Sequence, residues 1–335
     1  MIWIQFAICA ALILFAGSHL SRYGELIAEK SGFSKNWVGS VLLAVTASSS
    51  QLVASISAAV FNDLPDMAVG GLMGSCMFDM LVIGLLDLFS RHKPVSKMVH
   101  HGQILSAGFA IVLLAFAAID ILFGKNLPAV HVFNFMDPIT LAFVPVYLIA
   151  MRLSFRFEMT RQQEQGQSEA VADVGQEKRS WLKLIAPFSA YAILIFAASS
   201  YLPVLGEHIQ VQTGWGQSFI GLSFIAIITC LPELAVSISA AKRHSFDIAV
   251  GSLLGSTLCY MVILAITDFC YAKEPLLRHV SPLNALAALT AIISMAIVVI
   301  ALTYRAEKKF LFMAGDALGL LLVYLLANVL LFVAR

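Results

Sequence analysis

The stretch that decides the fold is a polar sequence that occurs twice. Gln51-Leu-Val-Ala-Ser-Ile-Ser-Ala-Ala59 recurs in the second half of the chain as Glu233-Leu-Ala-Val-Ser-Ile-Ser-Ala-Ala241. A second shared segment follows each copy, Asp66-Met-Ala-Val-Gly-Gly-Leu-Met-Gly-Ser75 and Asp247-Ile-Ala-Val-Gly-Ser-Leu-Leu-Gly-Ser256. The chain is therefore predicted to consist of two related halves. Both copies place polar and small residues inside apolar segments, which is typical of transporters whose site lies between two repeats.

The composition is that of a protein embedded in a lipid bilayer. Of the 335 residues, 60% are hydrophobic and 12% are charged, far from the usage of soluble domains. The apolar residues gather in runs of roughly 18–25, the length that crosses the hydrocarbon. A net charge of +1 argues against nucleic acid as a partner. We expect inorganic cations and the bilayer as partners and no cofactor, and the sequence indicates no protein partner.

Ten spans account for the apolar runs. They are predicted at about 3–20, 37–61, 66–89, 103–123, 138–155, 184–203, 215–241, 246–269, 282–303 and 311–333. Only four of the 21 Lys and Arg residues then fall on one side of the membrane: Lys125, Lys273, Arg278 and Arg335. By the positive-inside rule this side is extracytoplasmic and holds both termini. The short loops and the lack of an evident targeting segment favour a prokaryotic cell (inner) membrane.

Five spans in each half require the second half to enter the membrane upside down. The predicted fold class is an all-α integral membrane protein with about ten transmembrane helices as two inverted five-helix repeats. The first repeat covers 1–155 with its motif at 46–80, and the second covers 184–335 with its motif at 228–261. A hydrated cytoplasmic linker, 156–183, is predicted between them. Inverted repeats place a site near the bilayer midplane, reached in turn from both sides.

These motifs resemble those of the sodium/calcium exchanger membrane family, part of the cation/calcium antiporter superfamily. The family carries, in each of two inverted repeats, a segment like G-T-S-x-P-E-L and then one like D-I-A-x-G-N-x-x-G-S-N-x-x-N. The second copy here, Ile228-Thr-Cys-Leu-Pro-Glu-Leu234 with Asp247 to Tyr260, fits well. The first, Thr46-Ala-Ser-Ser-Ser-Gln-Leu52 with Asp66 to Asp79, is more divergent.

The resemblance implies a buried cation site. In the family, the two repeat glutamates coordinate calcium with help from Thr oxygens one turn earlier, and Ser and Asn or Asp on the next helix line sodium sites. Glu233 and Thr229 retain these types, whereas Gln51 replaces one glutamate and Tyr260 replaces a small ligand. The positions that match the family's ligands, or lie beside them, are Glu233, Asp79, Gln51, Thr229, Ser48, Ser75, Ser256, Thr46 and Tyr260.

Physical chemistry supports this interpretation in part. A glutamate at membrane depth is costly unless it is paired or binds an ion, so Glu233 indicates a functional site. Hard cations take oxygen ligands, and two carboxylates hold a divalent ion better than one. Because Gln51 removes a charge, Asp79 would restore the pair if it faces the site. Because Tyr260 replaces a small ligand, the number of sodium ions carried per cycle, and the use of sodium at all, stay open.

Several functions remain open on the sequence alone. The leading hypothesis is an antiporter that exchanges calcium for sodium or protons by alternating access. A monovalent cation/proton antiporter and a transport-inactive structural or regulatory relative are the alternatives. An enzyme is not expected, since neither a P-loop nor an HExxH motif occurs. Asp87 and Asp268 occupy equivalent positions near span ends and are interpreted as ordinary interface acids.

Overall fold

The computed structural model describes residues 1–30, 46–90, 93–126, 137–164, 181–306, 309 and 313–334. Helices dominate this part of the chain. Their order is α1 (Ile2–Lys30), α2 (Ser49–Ile56), α3 (Pro65–Leu86), α4 (Val95–Met98), α5 (Gly102–Phe123), α6 (Pro138–Glu164), α7 (Trp181–Thr213), α8 (Gln217–Ile220), α9 (Ala226–Thr229), α10 (Leu231–Lys242), α11 (Phe246–Tyr271), α12 (Pro282–Tyr304) and α13 (Gly315–Val333).

The long helices match the predicted spans. Within the described residues, eight are long and apolar enough to cross a membrane, and nine if the bent run from Gln217 to Lys242 counts as one. The span predicted at 37–61 is seen only from residue 46 onward, because residues 31–45 lie outside the described part. Helix α6 continues into the predicted linker as far as Glu164. Residues 165–180 of that linker also lie outside the described part.

Both motif helices are interrupted at the same position. Ser48 stands before α2 with φ −76° and ψ 2°, and Cys230 stands between α9 and α10 with φ −86° and ψ −2°. Pro232 contributes to the second break because it lacks an N–H for the helical ladder. The helix axis turns by 44° there. A π-helical turn accompanies each break, at Ser57–Phe61 and Gly221–Ile225. Such turns often mark functional positions in helices.

The centre of the molecule is formed by α3 and α11, which are apolar on all sides and mostly buried. Glycines on α3 let the chain approach closely. A Cβ added at Gly74 would lie 2.7 Å from the Leu222 Cα, and one at Gly70 would lie 2.9 Å from the Ser218 carbonyl oxygen. The Gly-x-x-x-Gly pattern of the first motif therefore serves helix packing. By contrast, α1 and α7 pack on each other at the outside, around a separate small core of Ala16, Leu20 and Ile195.

Equivalent aspartates join the two halves. Asp66, at the start of α3, accepts hydrogen bonds from the Ser281 N–H (2.6 Å) and the Asn284 side chain (3.0 Å). Asp247, at the start of α11, accepts one from the His100 N–H (2.9 Å). Each acid lies at a helix N-terminus, where the helix dipole favours negative charge. The start of each central helix is thus fixed to the other half of the chain.

Candidate ion-binding site

Glu233 forms the centre of the candidate site. It follows Pro232 in the first turn of α10, and its side chain is buried. The Tyr260 hydroxyl on α11 donates a hydrogen bond to Glu233 Oε1 at 3.2 Å, and the Cys230 thiol lies 3.6 Å from the same hydroxyl. Glu233 Oε2 has no hydrogen-bond partner among the described residues. One carboxylate oxygen is therefore available for a ligand.

Asp79 brings a second carboxylate to the same place from the first half of the chain. It lies on α3, is fully buried, and faces the Tyr260 hydroxyl and the Cys230 thiol within electrostatic range of Glu233. In strict hydrogen-bonding geometry neither of its oxygens has a partner in the described part of the chain. Two buried acids with few partners are expensive in an apolar interior, and a bound cation or proton relieves that cost.

Hydroxyl and amide groups complete the surroundings. Ser48, at the break before α2, faces both Glu233 and Cys259. Ser75 on α3 donates to Gln51 Oε1 at 3.2 Å and lies beside Cys230. Gln51 Nε2 is buried without a hydrogen-bond partner among the described residues. The glutamine that replaces a family glutamate thus presents a neutral amide to this region.

The remaining candidate residues are placed differently. The Thr229 hydroxyl points back along its own helix, to the carbonyls of Ile225 (2.8 Å) and Ala226 (3.1 Å). Thr46 is buried before the first break, and its carbonyl accepts from Ser49. Ser256 is buried on α11 one turn before Tyr260, and its hydroxyl has no hydrogen bond within the described residues. The hydroxyls of Thr229 and Ser256 are therefore close to the site in sequence without bonding its acids.

The arrangement can hold a single hard cation between carboxylates and hydroxyls. The described residues contain no group of three or more His, Cys, Asp or Glu side chains that would form a metal site by themselves. A cation here would therefore draw on two carboxylates together with Ser, Tyr and amide oxygens. Such mixed oxygen ligands suit calcium and sodium, and bound water commonly fills the remaining positions.

Sequence reasoning missed residues that join the two halves, one beside this site and others near the ends of the central helices. Ser50, beside Gln51, donates its hydroxyl to the Thr229 carbonyl oxygen at 2.9 Å. Asp87 and Asp268 are more than interface acids. Asp87 accepts from the Val95 N–H (2.9 Å) and the Ala314 N–H (2.7 Å), and Asp268 accepts from the Leu276 N–H (2.6 Å) and the Asp137 N–H (3.3 Å).

The signal for these contacts was present in the sequence. Asp66 and Asp247 stand at equivalent places in the two quoted motifs, and Asp87 and Asp268 stand at equivalent places after them. An aspartate that occurs at equivalent positions near two span ends predicts a hydrogen-bond donor for each copy. The partner itself lies far along the chain, in the other half, so only the folded structure identifies it.

Comparison with known proteins identifies the family. The family model described as "Sodium/calcium exchanger protein" matches residues 1–156 and 183–333. The chain belongs to the sodium/calcium exchanger family. The match leaves out 157–182, most of the predicted linker, and it includes both motif regions.

Individual relatives agree with this assignment. The chain is 23% identical over 272 residues to the Ca(2+)/H(+) antiporter ChaA of Bacillus subtilis (strain 168), covering 78% of this chain and 74% of ChaA. It is 24% identical over 264 residues to the inner membrane protein YrbG of Escherichia coli (strain K12), covering 76% and 74%. It shares its fold with the solved structure of native YfkE, with a TM-score of 0.70, 18% identity, and coverage of 98% of this chain and 92% of that chain.

These findings confirm the family resemblance and the all-helical membrane fold. They also confirm that the chain is not an enzyme, since its family is one of transporters. The protein is an integral membrane transporter of cations. The repeat boundaries, the assignment of individual ligands and the side on which the termini lie stay predictions.

Proposed function

We propose that the protein is a secondary antiporter that exchanges calcium for sodium or protons by alternating access. The observation that carries the proposal is the meeting of Glu233 and Asp79. These acids come from different halves of the chain, are both buried, and together leave three of their four carboxylate oxygens without a hydrogen-bond partner among the described residues. A site shared by two inverted repeats is the arrangement in which opposite gates can open in turn.

Glu233 is proposed as the ligand for which the two transported ions compete. Calcium would displace the hydrogen bond from Tyr260 or share the carboxylate with it, and Asp79 would supply the second charge. Ser48, Ser75 and Gln51 would add neutral oxygens, while the carbonyls freed at the Cys230 break are further ligand candidates. Thr229, Thr46 and Ser256 remain in the proposed ligand set, as groups that would have to reorient on ion binding.

Protons are favoured over sodium as the counter-ion. Tyr260 is fully buried and fills the place where the family carries a small sodium ligand. The relative ChaA bears the name of a calcium/proton antiporter, which supports the same choice. We further propose a prokaryotic cell (inner) membrane as the location, in keeping with the name of the E. coli relative.

The test is calcium flux into proteoliposomes that contain the purified protein. Calcium uptake is measured under an imposed proton gradient and, separately, under a sodium gradient, with wild-type protein and with Glu233→Gln. We expect uptake driven by the proton gradient and lost in Glu233→Gln. Uptake driven only by sodium would reverse the choice of counter-ion. Absence of calcium flux under both gradients would refute calcium exchange.

A monovalent cation/proton antiporter is the second candidate. It is favoured by the neutral amide of Gln51, which leaves fewer charges for a divalent ion than two glutamates and Asp79 would supply. The same vesicles distinguish the two functions when sodium and potassium replace calcium. Proton release that accompanies a monovalent ion, without any calcium flux, would establish the second candidate.

A further inference from the structure

An apolar groove lies beside the helical run that precedes the Cys230 break and Glu233. Its volume is about 450 Å³, and it is bounded by α1, by the run from α8 through its π-turn to α9, and by α13. Its wall includes four phenylalanines, Phe6, Phe219, Phe224 and Phe332. Cavities of this size and apolar character are the usual form of small-molecule sites in proteins.

The few polar groups in the groove are already satisfied. The Ser223 hydroxyl donates to Asn328 Oδ1 at 3.1 Å, and Asn328 Nδ2 donates to the Tyr324 carbonyl oxygen at 2.9 Å. Among the described residues, those that line the groove carry no charge. This part of the wall offers no partner to an ion or a charged headgroup, which favours an apolar occupant.

The groove is continuous with the lipid-facing surface of the protein. Leu325, Val329 and Phe332, which form its wall on α13, are each 43–60% exposed. Large exposed apolar residues extend along the same helix, among them Leu322 and Leu326. In an integral membrane protein this surface meets the hydrocarbon of the bilayer, which contains acyl chains and no water.

We propose that the groove binds one acyl chain of a phospholipid as a built-in part of the fold. The floor includes Ile227 and Ile228, which immediately precede Thr229. The carbonyl of Thr229 is the one that Ser50 joins to the other half of the chain. The acyl chain thus packs against the back of the broken helix, and its presence stabilises the helix in the position that presents Glu233 to the site.

The first experiment detects the bound lipid directly. The full chain is purified in detergent and examined by native mass spectrometry after delipidation and addition of a single phospholipid. The groove is filled by the double variant Ile227→Phe/Val329→Phe. Its matched control, Leu322→Phe/Leu326→Phe, adds bulk to exposed positions of α13 outside the groove. We expect one phospholipid to remain bound to wild type and control, and at least tenfold less to the filled variant.

A second measurement does not depend on the filled variant folding. The Trp215 ring stacks on Phe224 with centroids 5.5 Å apart, and its centroid lies 5.7 Å from that of Phe219 and 6.5 Å from that of Phe332. With the other three tryptophans, Trp3, Trp37 and Trp181, replaced by Phe, all tryptophan fluorescence comes from Trp215, which contacts three phenylalanines of the groove wall. Brominated acyl chains quench tryptophan on contact, so we expect quenching that saturates at one lipid per protein.

Several outcomes would overturn the proposal. Equal lipid retention in the filled variant and the control would show that the bound lipid lies elsewhere. Trp215 fluorescence that brominated lipid leaves unchanged would exclude an acyl chain from the groove. A dimer that forms in wild type and is lost only in the filled variant would assign the groove to a second copy of the chain. None of these readouts requires ion transport, so the proposal is tested independently of the antiporter function.

Discussion

The two motif regions break their helices in the same way and differ in charge. Ser48 and Cys230 break their helices with almost the same dihedral angles. Three residues later the first region carries Gln51, whose amide oxygen accepts from Ser75, and the second carries Glu233, whose carboxylate accepts from Tyr260. The two breaks therefore share their backbone geometry, while the polar groups that follow them differ in charge.

The difference between Gln51 and Glu233 shows how negative charge is distributed in the candidate site. The first half supplies its acid from α3, as Asp79, and the second half supplies its acid from the broken helix, as Glu233. At the position equivalent to Asp79 the second half carries Tyr260. The two buried carboxylates therefore come from different kinds of helix in the two halves, and the Tyr260 hydroxyl donates to Glu233 and faces Asp79.

The largest loss of calcium affinity is expected when the two broken helices carry the same side chain at the equivalent positions, 51 and 233. Glu233→Gln leaves an amide at both equivalent positions and only Asp79 as a charged ligand. We expect calcium binding, measured by titration calorimetry, to weaken by about 1,000-fold, since two close charges at an effective dielectric of about 20 interact by roughly 4 kcal/mol. Unchanged affinity in correctly folded protein would remove Glu233 from the site.

Asp79→Asn tests the proposed pairing of Asp79 with Glu233. The asparagine keeps an oxygen and almost the same volume, so packing on α3 is preserved while the second charge is lost. We expect calcium affinity to fall by about 100-fold, less than for Glu233→Gln because Asp79 is proposed as the second of the two charges. Ser256→Ala, on the equivalent face of α11, is the matched control, and its calcium affinity is expected to fall by less than about tenfold. An equal loss in both variants would contradict the proposed pair.

Gln51→Glu sharpens the comparison by adding the charge that the first motif lacks. The new carboxylate still accepts the hydrogen bond from Ser75, so the local geometry is retained. We expect calcium to bind about tenfold more tightly in the same calorimetric titration, because a third carboxylate favours a divalent ion over a monovalent one. Tighter binding of sodium than of calcium in this variant would contradict the proposed selectivity.

Tyr260→Phe separates the hydroxyl from the bulk of the ring. The phenylalanine still fills the pocket, but Glu233 Oε1 loses its donor. We expect the calcium affinity to change by about tenfold or less, in keeping with the loss of one hydrogen bond to a charged group. Sodium affinity is expected to stay unchanged, because the ring continues to fill the place that the family resemblance assigns to a sodium ligand. A gain of sodium binding would show that the hydroxyl, and not the ring, excludes that ion.

The smallest effect is expected on thermal stability, from a substitution in the loop that follows the first motif helix. Lys273 donates to Asp63 at 2.8 Å, and this bond holds the pKa of the Asp63 carboxyl below its ordinary value. A lowered pKa contributes stability that is present at neutral pH and is lost as the pH falls through that value. Both side chains are largely exposed, so solvent screens the contribution.

Asp63→Asn is therefore expected to leave the melting temperature at pH 7 unchanged. Asparagine also tolerates the positive φ of 54° at this position. The measurement is thermal unfolding of wild type and variant at neutral pH and at about pH 3, below the ordinary pKa of an aspartate. A clear loss of stability at neutral pH would mean that the loop contributes more to the fold than its exposure indicates.

Most of the fold could be predicted from the sequence because the bilayer leaves few choices. A segment in hydrocarbon must satisfy its own backbone, so an apolar run of sufficient length becomes a helix. The duplicated motif also relates the two halves to each other, because each copy lies at the same place in its group of spans. The ends of helices were less predictable. Helix α6 extends to Glu164 because Arg, Gln, Glu and Met after the span are good helix formers even in water.

The sequence could name candidate residues for the site but not the contacts among them. Residue type and repeat position marked Glu233, Asp79 and Tyr260, since a buried acid or a misplaced ring is visible in the sequence. The direction of each side chain was not visible. Thr229, for example, bonds its own helix at Ile225 and Ala226, as threonines in helices often do.

The sequence by itself determined the class of the protein, the order of its long apolar helices, and the residue types that are proposed to bind a cation. These features follow from local properties: hydropathy, helix-breaking residues and repetition. Only the tertiary structure decided that Asp79 is buried near Glu233, that Tyr260 donates to Glu233, and that Asp66, Asp87 and their equivalents reach the opposite half of the chain. Such contacts depend on how helices cross, and close crossings are set by the shapes of both partners, as at Gly74 and Leu222.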